Sequence, residues 1–290
     1  MFPEEFVIAQ RLLKQSGALE MEPPTPIDTV LRYLAGRGLE LHYYDPNKAL
    51  PDLRETARDV DEVLVPQESR SLLFVNQARP QTRIRFSIFH GTGHFCLPGH
   101  DQLNYLSRGC MINPATYRPY ERQANHFAAA MNMPPQRFRE DMRHLPFNMR
   151  TVESLAQRYM ASVESAAIHY ITLAEVPCAV VWLQPDYDDE GFPQPNSPLK
   201  VRYQVRSPLF PFFVRPGTRI ATEDSPFWMC CEEQIIAEGN VKGSCLGLKP
   251  DADLWVDCLP QGHLGAVLAL VYPEARPPDC AVFDQWHWEE

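Results

Sequence analysis

The chain has 290 residues, 44% of them hydrophobic and 22% charged, with a formal net charge of −10. That balance describes a globular protein with core enough for one large or two ordinary domains, and it excludes a disordered or collagen-like chain. No apolar run approaches the ~20 residues of a membrane span, and Met1-Phe-Pro-Glu-Glu lacks the basic-then-apolar plan of a signal peptide. The eight cysteines follow no framework spacing, so the expectation is reduced thiols in a cytoplasmic protein with no membrane partner.

In chain order, residues 3–17 read as an amphipathic helix with Phe6, Ile8, Ala9, Leu12 and Leu13 on its core side. Pro26 opens a second helix through Val30, Leu31 and Leu34, closed by Gly36 and Gly38. Leu39–Tyr44 alternates as a strand, residues 46–70 read as a polar, irregular insertion, and Ser71–Asn76 is the next strand. A helix from about Thr82 follows Arg79-Pro80.

That helix carries the first candidate site. His90 and His94 are four residues apart, so both imidazoles share one face and reach one tetrahedral metal. Phe86, Ile88, Phe89, Phe95 and Leu97 surround them, which predicts a largely buried helix where two unpaired imidazoles are costly. The frame is that of the zinc-peptidase motif H-E-x-x-H, but Gly91 stands where that motif places its general-base Glu. The competing reading is an ordinary pair of helix histidines.

Tyr120–Met133 is alanine-rich and stopped by Pro134-Pro135, a helix with Ala124, Phe127, Ala128 and Met131 as its core stripe. Glu121 falls on the same stripe, and a carboxylate on a buried helix face needs a partner such as a metal. A rival third ligand is His100, six residues after His94 as in the metzincins, although Leu97 occupies the place of the glycine that pattern needs. Otherwise His100 is a loop residue near the site. Cys110, in the segment joining the two helices, is a candidate inhibitory fourth ligand, since a thiolate binds zinc strongly. The alternative is an ordinary loop or core cysteine. Cys96 is expected in the core.

The run Arg85-Phe-Ser-Ile-Phe-His90-x-x-Gly-His94, with Glu121-x-x-Ala-Asn125-x-Phe-Ala-Ala-x-x-Met133-Pro, resembles the ImmA/IrrE family of bacterial zinc peptidases over residues 26–173. The resemblance implies Zn2+ held by His90, His94 and Glu121. It also implies cleavage of a helix-turn-helix repressor, in response to stress or DNA damage or in anti-phage defence. Gly91 departs from the family and puts catalysis in doubt but not metal binding. Either the natural residue is Glu and this chain carries a disarming substitution, or the chain is naturally non-catalytic. The intact remainder of the site favours the first.

Residues 150–174 form two short helices that resemble a helix-turn-helix, with Ser162 capping the second. Val163-Glu-Ser-Ala-Ala offers base edges no reader, so a structural role is expected. From Val176 the chain turns to short strands, including Cys178–Leu183, Val201–Val205, Phe212–Val214, Leu254–Asp257 and Leu264–Val271. Trp182, Trp228 and Trp255 are expected in the core.

The predicted class is therefore α+β. A zincin-like peptidase domain occupies residues 1–149, a helical segment 150–174, and an antiparallel, β-rich, sensor-like domain 175–290. The predicted activity is zinc-dependent endopeptidase, on a substrate lying extended beside strand 71–76. Two alternatives stay open: a non-catalytic zinc protein that binds a repressor, and a DNA-binding regulator. Arg79 to Arg158 holds eleven arginines against five acids, a surplus that admits single-stranded DNA as an activator, as the β-rich domain admits a small molecule. Ordinary ion pairs on helix faces are the other explanation.

Overall fold

A computed structural model describes residues 3–49, 54–100, 105–108, 114–143, 145–188, 194, 197–220, 225–248, 252–262, 265–275 and 277–282, with backbone alone for 105–108 and 114–118. It divides into two units, Met1–Phe138 with Ala156–Ser165, and Arg139–Leu155 with Ala166–Glu290.

In the first unit, α1 (Glu4–Ser16) opens with two acids and ends with Lys14, charges that complement the helix dipole. Gly17, at φ 77°, turns the chain so that Ala18 donates back to the Leu13 carbonyl. Phe6, Ala9, Leu12 and Leu13 are buried. Next come α2 (Ile27–Ala35), β1 (Leu39–Tyr44), α3 (Arg54–Asp59), β2 (Val60–Pro66), β3 (Ser71–Asn76), α4 (Gln81–Cys96), β4 (Tyr105–Arg108) and α5 (Pro114–Asn132). The strands form one sheet in the order β1-β3-β2-β4, with β1 parallel to β3 and the other pairs antiparallel.

Two expectations fail here. Residues 46–70 are not an irregular insertion, because Val60–Pro66 is an inner strand of the sheet. Its charged start, Val-Asp-Glu-Val, hides the strand from a hydrophobic pattern. The Ser71–Asn76 strand is not an edge either: β1 and β2 pair with it on both sides, so its main chain has no free row of bonds for a substrate. Among the described residues the open edges are β1 and β4.

Helices α6 (Pro135–Met142), α7 (Met149–Arg158) and α8 (Val163–Leu173) follow, and α8 starts at the expected cap, where Ser162 Oγ accepts from the Ser165 amide at 3.1 Å.

The second unit is built on a six-stranded antiparallel sheet. It comprises β5 (Ala179–Gln184), β6 (Leu199–Arg206), β7 (Arg219–Ile220), β8 (Ala237–Lys242), β9 (Asp253–Pro260) and β10 (Val267–Tyr272), in the order β7-β6-β5-β10-β9-β8. Val181, Leu183, Val256 and Ala269 on one face pack with Phe227 and Cys230 of α9 (Pro226–Glu233), a helix the strand pattern does not announce. On the other face Phe147 meets Tyr272, Trp255 and Tyr170 at ring distances of 5.9, 6.1 and 6.2 Å. Phe212–Val214 is not a strand, since the Val214 amide donates to the Gln204 side chain instead of a ladder. Trp255 is buried as expected, but Trp228 stands on the outer side of α9 and is 40% exposed.

Candidate metal centre

Helices α4 and α5 meet at Gly93. A Cβ there would lie 3.1 Å from Phe127 and 3.3 Å from the Ala124 backbone, so only the missing side chain lets the helices come this close. The approach carries Glu121, one turn before Ala124, to the histidine face of α4. The imidazoles of His90 and His94 and the Glu121 carboxylate each offer a ligand atom, and all three atoms lie within 4.8 Å of one another. Glu121 oxygens stand 3.3 Å from His90 Nε2 and 3.4 Å from His94 Nε2. Both histidines are buried at 2% exposure.

Behind each imidazole stands a second polar group. Glu62 of β2 lies 2.6 Å from His90 Nδ1. The strand register shifts between Val60 and Glu62, and at this bulge two successive carboxylates both reach α4. Asp61 takes Arg83, with Arg79 bound beside it, and Glu62 takes His90. Behind His94, His100 Nδ1 lies 2.9 Å from His94 Nδ1, and Gln123 Oε1 lies 3.2 Å from His100 Nε2. Phe86 stacks along His90 at 6.0 Å.

The charges follow from these neighbours. Burial would lower the His90 pKa, but Glu62 and Glu121 outweigh it and hold the imidazole up to about 9. Burial dominates at His94 and draws it down to about 4. Burial would raise the Glu121 carboxyl, yet its bonds to the two histidines pull it well below the carboxylate range. The donor set suits Zn2+: two imidazole nitrogens and one carboxylate, with Glu62 a ready acceptor for the far hydrogen of His90.

The place of the general base is different. A Cβ on Gly91 would lie 2.3 Å from Leu73 Cδ1 and 3.0 Å from its Cδ2. Leu73 is fully buried in β3, so the volume beside Gly91 belongs to the core. The other predicted site residues divide clearly. Cys110 lies outside the described residues. His100 lies in the loop after α4, is 1% exposed, and sits on the Nδ1 side of His94, away from Glu121. Cys96 is half-buried rather than core, and burial pushes its thiol up to about 11. Glu62 and Gln123 escape sequence reasoning, since neither stands in the motif spacing. A carboxylate in the run Val60–Val65 was the available signal for Glu62.

Several of the middle arginines are held by acids. Arg79 and Arg83 bind Asp61, Arg137 and Arg158 bind Glu22, and Arg139 binds Glu175. Arg85 is buried, donating to Asn132 Oδ1 and to the Thr25 carbonyl, and burial lowers it to about 10.

Among curated proteins none matches this chain. A solved structure described as a Mycobacterium tuberculosis transcriptional regulator is similar in fold, with a TM-score of 0.56 and 16% identity, over 93% of this chain and 76% of that one. Residues 48–169 match the Peptidase_M78 family, described as an IrrE N-terminal-like domain, and that match spans β2, both metal-site helices and the His90, His94 and Glu121 cluster. Over residues 48–169 the chain is thus similar to that IrrE N-terminal-like domain, a match that supports an ImmA/IrrE-type peptidase family.

Proposed function

We propose that this protein is a zinc-holding regulator of the IrrE type that engages a helix-turn-helix repressor, and that peptide hydrolysis is silenced in it at position 91. His90, His94 and Glu121 would hold the ion. Zinc there supplies Lewis acidity toward a peptide carbonyl. Hydrolysis also needs a group to take the proton from the attacking water, and glycine has none.

The observation that carries the reading is the His90, His94 and Glu121 cluster, with ligand atoms within 4.8 Å of one another, beside a residue 91 that has no side chain to act as base. A glutamate at position 91 would turn the Leu73 methyls aside, a shift within a flexible side chain rather than of the backbone. The second reading, an endopeptidase disarmed only at position 91, rests on the intact cluster.

The test pairs two measurements on a helix-turn-helix repressor taken from the same genome. The unaltered zinc-loaded chain should bind it without cleaving it. The double variant L73A/G91E should gain cleavage that G91E alone, crowded by Leu73, does not reach. Cleavage by the unaltered chain refutes silencing. Full activity in G91E alone favours the disarmed endopeptidase.

A further inference from the structure

We propose that His100 and Gln123 are positioning residues for the metal, acting on it through His94. This rests on the metal reading above. Gln123 Oε1 faces His100 Nε2 at 3.2 Å, and an amide oxygen only accepts, so that nitrogen carries its hydrogen. With its hydrogen on Nε2, His100 presents Nδ1 as an acceptor, and we assign the hydrogen of the 2.9 Å contact to His94 Nδ1. The lone pair of His94 is thereby left on Nε2, the atom that faces Glu121 at 3.4 Å. The ligand-competent tautomer of His94 is set two side chains away from the ion.

The ring that does this is itself held. His100 is 1% exposed, and Tyr120 stands edge-on to it at 4.9 Å between ring centres. Tyr120 and Gln123 flank Glu121 on α5, so one helix turn supplies a carboxylate to the ion and both supports of the relay. The two metal histidines are therefore backed unequally. His90 leans on a carboxyl group, Glu62, and His94 leans on an imidazole backed by an amide. His100 meets His94 from the side opposite Glu121, so it acts behind the ligand rather than as one.

The full chain, stripped by a chelator, is titrated with Zn2+ against a chromophoric competitor and with Co2+ followed by its visible absorption. H100A should weaken Zn2+ binding roughly 10- to 100-fold, the usual effect of losing a metal ligand's hydrogen-bond partner. H100N keeps an acceptor at the Nδ1 position and should recover most of that loss. Q123A should give a smaller loss. The Co2+ spectrum should keep its form in all three, because the ligands are unchanged. Binding indistinguishable from the unaltered chain in H100A and Q123A overturns the proposal. So does a Co2+ spectrum reporting one nitrogen ligand fewer, which would make His100 a ligand. If H100A fails to fold, H100N and Q123A decide the matter by the same readings. If the unaltered chain binds neither metal, the metal reading falls first and this inference with it.

Discussion

Glu62 shows how much a single carboxylate can do from outside the motif. It lies 2.6 Å from His90 Nδ1 in a nearly dry site. A carboxylate there orients the ring and raises its basicity toward a metal. The E62Q variant keeps an acceptor but removes the charge. It should weaken Zn2+ affinity about 10- to 100-fold while leaving the circular dichroism of the chain unchanged. Competition with a chelator measures it, and equal affinity would leave Glu62 a purely structural partner. Gly91 and Gly93 stand two residues apart on one helix for different reasons: Gly93 admits a neighbouring helix, and Gly91 admits a leucine from the sheet.

Between elements, the contact of α4 with α5 sets the site. Ala124 and Phe127 are fully buried against Gly93, and the helices approach closely enough for Glu121 to face His90 and His94. An alanine at position 93 would gain up to about 1 kcal/mol of helix propensity. It would also press into Phe127 and the Ala124 backbone, and overpacking of that kind costs typically about 1–3 kcal/mol. G93A should therefore lower the denaturation midpoint and weaken Zn2+ binding together, because the same shift that relieves the clash moves Glu121. A variant destabilised with unchanged metal affinity would separate the packing from the site. The β2 bulge is the second device at this scale. It turns Asp61 to the arginines and Glu62 to the histidine, where a regular strand would send them to opposite faces.

For the whole molecule, a buried acid links stability to pH. Asp257 of β9 is 2% exposed and accepts from the Met149 amide at the start of α7, at 2.6 Å. Burial raises its pKa to about 6, helped by Glu238 and opposed by the Met149 bond and Arg150. The folded pKa lies above the ordinary value of 3.8, so between about 4 and 6 the folded chain binds more protons than the unfolded one. Its contribution therefore weakens as pH rises through that window, by on the order of 2–3 kcal/mol in all. D257N keeps an acceptor for Met149 without the charge. It should flatten the fall between pH 4 and 6 and raise the urea midpoint at pH 7.5. An unchanged slope would mean that other groups carry the dependence. No helix among the described residues is long and apolar enough to cross a membrane.

Local pattern alone determined much of this protein. The spacing of His90 and His94, the placing of Glu121 on an alanine-rich stripe, the helix start at Ser162 and the change to strands after Val176 are all written in short windows. These follow from side-chain periods of 3.6 and 2, which say which residues share a face. They do not say what the face meets. Glu62 reaches His90 from 28 residues away, Leu73 reaches Gly91 from a strand the motif does not contain, and β2 enters the sheet despite a charged start. Such contacts are settled by sheet order and helix approach, which depend on packing summed over the whole unit. The same physics explains why the histidine pair was legible from sequence while the groups that aim it, and the leucine packed beside Gly91, were visible only in the fold.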